Sequence, residues 1–213
     1  YGEFDKHGQD SWVHPQRSMD IRSRDDYGYN NGMQETFFHT TDRDEFQRLI
    51  IRACGDDNYP GIDSSAHLRD DFVQSLSERS GQSLDWRKSA RCLVFANGQY
   101  WGVYSIREKV DDADYCEYYY GQDRYKLQFL MYWGGLWAEY GGQKAITDFN
   151  SLKNYILTHD MSNPQYYDYV QQRYDVTSLA DYMIINSFVV CSDWLNWNVG
   201  IWRGLDPAGL HQK

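Results

Sequence analysis

The stretch ARCLVFANGQYWGVYSIREKV, residues 90–110, decides how the chain is read. Two β-rich runs flank Asn97-Gly98, the pair that a type I′ turn prefers because both of its central residues need positive φ. The pattern predicts a β-hairpin. Towards the N-terminus, SWVHPQRSMDIRSRDDYGYNNG (11–32) carries Pro15, an alternating pair Met19 and Ile21, and the turn signals DDYG and NNG, which reads as strand, turn, strand. FQRLIIRACGDD (46–57) is a short apolar run that fits either strand or helix and closes in a polar loop. SSAHLRDDFVQSLSERSG (64–81) has helical spacing: Ser65 as cap, Leu68, Phe72, Val73 and Leu76 on one face, and Gly81 at the stop.

Towards the C-terminus the pattern changes. Residues 111–142, DDADYCEYYYGQDRYKLQFLMYWGGLWAEYGG, read as a short helix and irregular strand. FNSLKNYILTHD, NPQYYDYVQQRYD and VTSLADYMIINSFVV then repeat apolar residues at a period near 3.6, the last behind a cap at Asp175 or Thr177. Strands in the first half and helices in the second predict an α+β fold, one domain spanning 1–213 with two packed lobes.

The formal charge of −10 repels phosphate backbones and anionic membranes, which argues against nucleic acid as a partner. No apolar run reaches the roughly 18 residues of a bilayer span. The chain opens at Tyr1 and stops at HQK after GLDPAG, and reads as a piece of a longer protein. Cys54, Cys92, Cys116 and Cys191 lie far apart without a CxxC pair, which disfavours structural zinc and leaves two disulfides or four buried thiols open. Oligomeric state has no signature in the sequence.

Behind the apolar run MIINSFVV (183–190) stands CSDWLNWN, residues 191–198. Asp193 and Asn198 have the D-x-x-x-x-N spacing of kinase catalytic loops, where the Asp takes a hydroxyl proton and the Asn gives an oxygen to Mg²⁺. Asp193 and Asn196 also fit a role as ordinary turn caps.

Hairpin and loop together resemble a known family. VFANGQYWGVYSIREKVDD resembles the NG-x-Y-x-G-x-Y-x-x-x-E-x-x-D signature of the CotH, or spore-coat protein H, kinases, and Asp193–Asn198 resembles their Asp/Asn loop. HGQDSWVHPQRSMDIRSRDDYG is similar to the family's opening strand and HLRDDFVQSL to its L-R helix. The resemblance implies an atypical protein-kinase-like fold and transfer of the ATP γ-phosphate to Ser or Thr hydroxyls of secreted or surface proteins of bacteria, with Mg²⁺ or Mn²⁺. Carried over by motif, Asp193 is the proton acceptor and Asn198 a metal ligand. Arg17 stands where the family has the second of two lysines and would face the phosphates, although Gln16 replaces the first. Arg69 matches the helix arginine, Glu108 the hairpin glutamate that positions a basic partner, and Lys126 a second phosphate contact. The family's W-D-x-D-like segment, which supplies metal carboxylates, is not among these residues, and Asp206 beside Pro207 is a poor substitute.

Other readings stand beside this one. Arg17 and Arg69 also fit surface cations snorkelling over apolar neighbours, Glu108 a solvated charge run with Arg107 and Lys109, and Lys126 an exposed strand charge. The kinase fold with transfer lost is one alternative. The aromatic content of 17% supports a carbohydrate-binding or scaffold module, with Tyr115, Tyr118, Tyr119, Tyr120, Trp133 and Trp137 as a platform or as packing. A glycosidase would need Glu108 paired at a fixed separation with Asp111 or Asp193.

Overall fold

The computed structural model describes residues 2–23, 32–58 and 65–213, in two compact units: Tyr1–Gly81 with Asp85–Asp112, and Gln82–Leu84 with Ala113–Lys213. The DDYG turn, Asn30 and Asn31 of the next turn, and Ser64 lie outside the described residues.

The strands of the first unit are β1 (Glu3–Lys6), β2 (Met19–Arg22), β3 (Met33–Gln34), β4 (Glu45–Phe46), β5 (Arg48–Arg52), β6 (Ser89–Ala96) and β7 (Gln99–Glu108). One helix, α1 (Arg69–Arg79), and two short 3-10 turns, Asp10–Val13 and Gly55–Asp57, accompany them. The expected hairpin is β6 and β7, and Asn97 and Gly98 take φ of 51° and 77° as its turn requires. The ambiguous 46–57 run is strand β5 and a 3-10 turn. The sheet is antiparallel in the order β1-β2-β5-β7-β6.

Strand alternation gives this sheet two chemically different faces. One carries Leu49, Ile51, Tyr104 and Ile106, which pack with Phe38, Phe46, Met19 and Ile21 into the core. The other carries Arg48, Arg52, Arg91, Ser105 and Arg107. Helix α1 covers that face with its first turn: Asp70 and Asp71 both pair with Arg107, Asp70 also with Arg52, and Asp71 with Arg91 and Ser105 Oγ.

The helix therefore docks by carboxylates, and the expected apolar face is corrected. Leu68 and Phe72 are exposed at 55% and 62%, because arginines occupy the sheet face where apolar partners would sit. The expected Ser65 cap is corrected too: its Oγ makes no hydrogen bond among the described residues. Asp57 caps the helix from a distance, accepting the amides of Ala66, Leu68 and Arg69 at 2.7, 2.7 and 2.9 Å.

The second unit contains α2 (Ala113–Tyr120), β8 (Leu127–Tyr132), β9 (Leu136–Tyr140), α3 (Gly142–Thr158), α4 (Pro164–Gln171), α5 (Val176–Phe188) and β10 (Val199–Gly204). Its sheet runs β10-β8-β9, so the expected irregular strand is a second hairpin. Leu127 and Phe129 meet Ala113 and Cys116 of α2. Asp175 caps α5 as expected, accepting from Thr177 N and Ser178 N. The MIINSFVV run is less buried than its composition suggests: Ile185 is buried, while Ile184 and Phe188 are exposed. All four cysteines are free thiols, Cys54 and Cys116 buried and the other two half-buried. Among the described residues no helix is long and apolar enough to cross a membrane.

Candidate active site

Helix α5 ends in a Schellman motif, with Val190 N–H donating to Ser187 O and Cys191 N–H to Asn186 O. Glycine is customary at the left-handed position of that motif, yet the residue there is Val190, at φ 53°. Leu195 and Asn198 follow at φ 72° and 57°. Asparagine tolerates this region; valine and leucine do not, so surrounding contacts must hold the loop.

Those contacts are specific. A hydrogen bond ties the Tyr182 hydroxyl of α5 to the Leu195 backbone, and the Tyr182 ring packs on Trp194 at 5.8 Å. Gly134, in the β8–β9 turn, donates its N–H to Asn196 O at 2.8 Å, and Trp133 meets Trp197 edge-on at 5.2 Å. Within this frame Asn198 Nδ2 donates to Asp193 Oδ2 at 2.7 Å, and both side chains are exposed. The sequence spacing thus becomes a direct contact: one carboxylate oxygen is held by the amide, and Asp193 remains accessible to a reactant.

In the first unit Arg17 is exposed, with its guanidinium 5.3 Å from the Trp12 ring, beside a groove of about 380 Å³ that Gln16, Tyr100, Trp101 and Tyr104 also line. The Gln16 amide lies where a Cβ on Gly102 would come within 2.1 Å and donates to Trp101 O, so the residue replacing the first lysine is engaged with β7. Arg69 is 63% exposed and pairs with Asp57 at 3.3 Å. Glu108 is fully buried and takes Arg43 Nη1 at 3.0 Å and the Lys88 amide at 3.1 Å. The charge run around Glu108 is therefore not a solvated one, since Arg107 is fully buried as well. That burial and its ion pair leave Glu108 no route to a glycosidic bond, and Asp111 is occupied by Lys109 at 2.7 Å. In the second unit Lys126 pairs with Asp123 and Asp206 at 3.2 and 3.5 Å, which any phosphate would have to displace.

The aromatic candidates divide between packing and exposure. Tyr115 is buried against Tyr119, whereas Tyr118, Trp133 and Trp137 are partly open. A cavity of about 430 Å³ elsewhere in the second unit is lined by one carboxylate, Asp148, which holds Lys144 and Arg203, and by two further cations, Arg173 and Lys213.

The sequence matches the family model described as CotH kinase protein over residues 4–209. The chain belongs to the CotH family. No curated protein and no solved structure matches it. Within this CotH chain, sequence reasoning missed two groups. The first is the arginine layer bound by Asp70 and Asp71, signalled only by charges alternating with apolar residues in RLIIR and YSIRE. The second is the bracing of the loop by Tyr182 and Gly134, for which no local signal exists.

Among the described residues no group of three or more His, Cys, Asp or Glu could hold a metal ion. The donor that the carried-over motif gives Mg²⁺ or Mn²⁺ is the side-chain oxygen of Asn198. Asn198 points its Nδ2 at Asp193, which leaves Oδ1 for another partner. Mg²⁺ commonly takes only one or two protein oxygens and completes its shell with water and phosphate, so Asn198 Oδ1 fits as one ligand of such a shell.

Proposed function

We propose that this CotH-family chain is an atypical Ser/Thr protein kinase with a kinase-like fold, acting on secreted or surface proteins. The observation that carries the reading is the Asp193–Asn198 hydrogen bond on a braced, left-handed loop. Asp193 accepts the proton of a Ser or Thr hydroxyl as that oxygen attacks the γ-phosphorus of ATP. The new O–P bond forms, the bond to the β-phosphate oxygen breaks, and ADP leaves with its electron pair. Asn198 fixes the carboxylate and supplies an oxygen for Mg²⁺ or Mn²⁺. The bound ion offsets the charge of the phosphates.

Arg17 is the candidate cation with the least committed head group, and we assign it a phosphate contact; Arg69 and Lys126 would exchange carboxylate partners for phosphate. Glu108 contributes indirectly, by holding Arg43.

Nucleotide binding is tested by thermal unfolding with ATP plus Mg²⁺ or Mn²⁺ against EDTA. A ligand of the native state at 100 times its Kd adds about 2.7 kcal/mol. A metal-dependent rise in midpoint is expected, and an unchanged midpoint would remove nucleotide from the proposal.

A further inference from the structure

We propose that Gly134, at the tip of the β8–β9 hairpin, is a positioning residue for the Asp193–Asn198 pair; the inference rests on reading Asp193 as the base. The Trp197 indole lies directly on Gly134. A Cβ there would stand 2.7 Å from Cη2 and 2.9 Å from Cζ3 of the indole, closer than real contacts allow. Gly134 also has φ of 67°, which side-chain-bearing residues resist, and its N–H holds Asn196 O at 2.8 Å. Three separate constraints therefore meet at one glycine.

The position of this contact gives it consequence. Tyr182 grips the loop at Trp194 and Leu195, next to Asp193, and Gly134 grips it at Asn196 and Trp197, next to Asn198. The two grips set the separation of the donor and acceptor that form the 2.7 Å bond. An indole cannot bend, so a methyl at residue 134 displaces the ring, and because Gly134 N–H also holds Asn196 O at 2.8 Å, the hairpin tip cannot recoil from the ring without pulling on the loop backbone that leads to Asn198.

The test compares wild type, Gly134→Ala, Trp197→Leu and the double variant, all in the full chain. Two readouts are taken: the Asn198 side-chain amide resonances, and phosphoryl transfer resolved into kcat and KM for ATP. In Gly134→Ala the Asn198 resonances should move towards those of a solvated amide. We expect kcat to fall about 10- to 100-fold, as for a reacting group misplaced by about an ångström, with KM for ATP within about twofold. The double variant should lose less than the product of the single losses, because leucine makes room for the methyl.

A general loss of stability would lower the thermal midpoint and leave the folded protein's Asn198 resonances in place; that result, or an unchanged kcat in Gly134→Ala, overturns the proposal. Should Gly134→Ala fail to fold, Trp197→Leu alone reads the same coupling, with the same expected and contrary results. Displaced Asn198 resonances in a protein whose wild type transfers no phosphate would uphold the coupling and refute the base.

Discussion

Arg43 Nη1 meets Glu108 Oε1 at 3.0 Å with both side chains shielded from water, 3% and 0% exposed. The pair joins the segment before β4 to the last residue of β7, and the Arg43 guanidinium also lies 4.4 Å from the Phe46 ring. Removing one partner of such a pair strands the other charge in the interior. Glu108→Ala should cost about 3–5 kcal/mol in urea unfolding. Glu108→Gln keeps a hydrogen-bond acceptor for Arg43 and should cost less. A loss below about 1 kcal/mol for Glu108→Ala would show that the pair is dispensable.

Asp57 carries the N-terminus of α1 from outside the helix. Burial would raise its carboxyl, but the amides of Arg69, Ala66 and Leu68 and the Arg69 charge together hold it below the ordinary carboxylate range. Asp57→Ala leaves those amides without an acceptor and should lower stability by about 2–3 kcal/mol. Ser65→Ala should change it by less than about 0.5 kcal/mol. Equal effects in denaturant titrations would return the cap to Ser65.

Acidification should weaken the first unit in two windows. Burial pushes the Asp20 carboxyl up, yet His7, Lys109 and Arg48 outweigh it and hold it at about 2, below the ordinary 3.8. A carboxyl depressed on folding stabilises fully above its unfolded value, and that contribution, on the order of 2 kcal/mol, is lost as pH falls from about 4 to 2. Burial also lowers the His7 pKa below 6.5, despite the neighbouring Asp20. The unfolded chain therefore binds His7's proton first, and stability begins to fall once pH drops below about 6.5. Asp20→Asn should remove the lower window and deepen the upper one, because His7 loses the carboxylate that favours its charged form, whereas His7→Gln should remove the upper window and shrink the lower one, because His7 helps hold Asp20 down.

The hairpin and the α5 cap were legible because each is encoded within a few residues: Asn97-Gly98 states its turn, and Asp175 precedes its helix directly. The docking of α1 was not. Arg107 and its partners Asp70 and Asp71 are 37 and 36 residues apart, and only the sheet register brings them together. Apolar periodicity, blind to a face held by ion pairs, selected Leu68 and Phe72 instead. The Asp193–Asn198 spacing could be read, but the left-handed Val190 and Leu195 could not, since neither residue type signals that backbone.

Glu108 shows the same limit from the other side. Its motif predicted a basic partner, whereas its neighbours Arg107 and Lys109 suggested a solvated run. The basic partner is Arg43, 65 residues away, and no local pattern marks it.

Phosphoryl transfer from labelled ATP to a Ser/Thr-containing acceptor protein, compared between wild type and Asp193→Asn, tests the central claim most directly. The isosteric amide retains the shape of the loop and removes the base. Asp193 is exposed, so the thermal midpoint should stay within about 2 °C while transfer falls at least 100-fold. Transfer by Asp193→Asn at the wild-type rate would contradict the assignment.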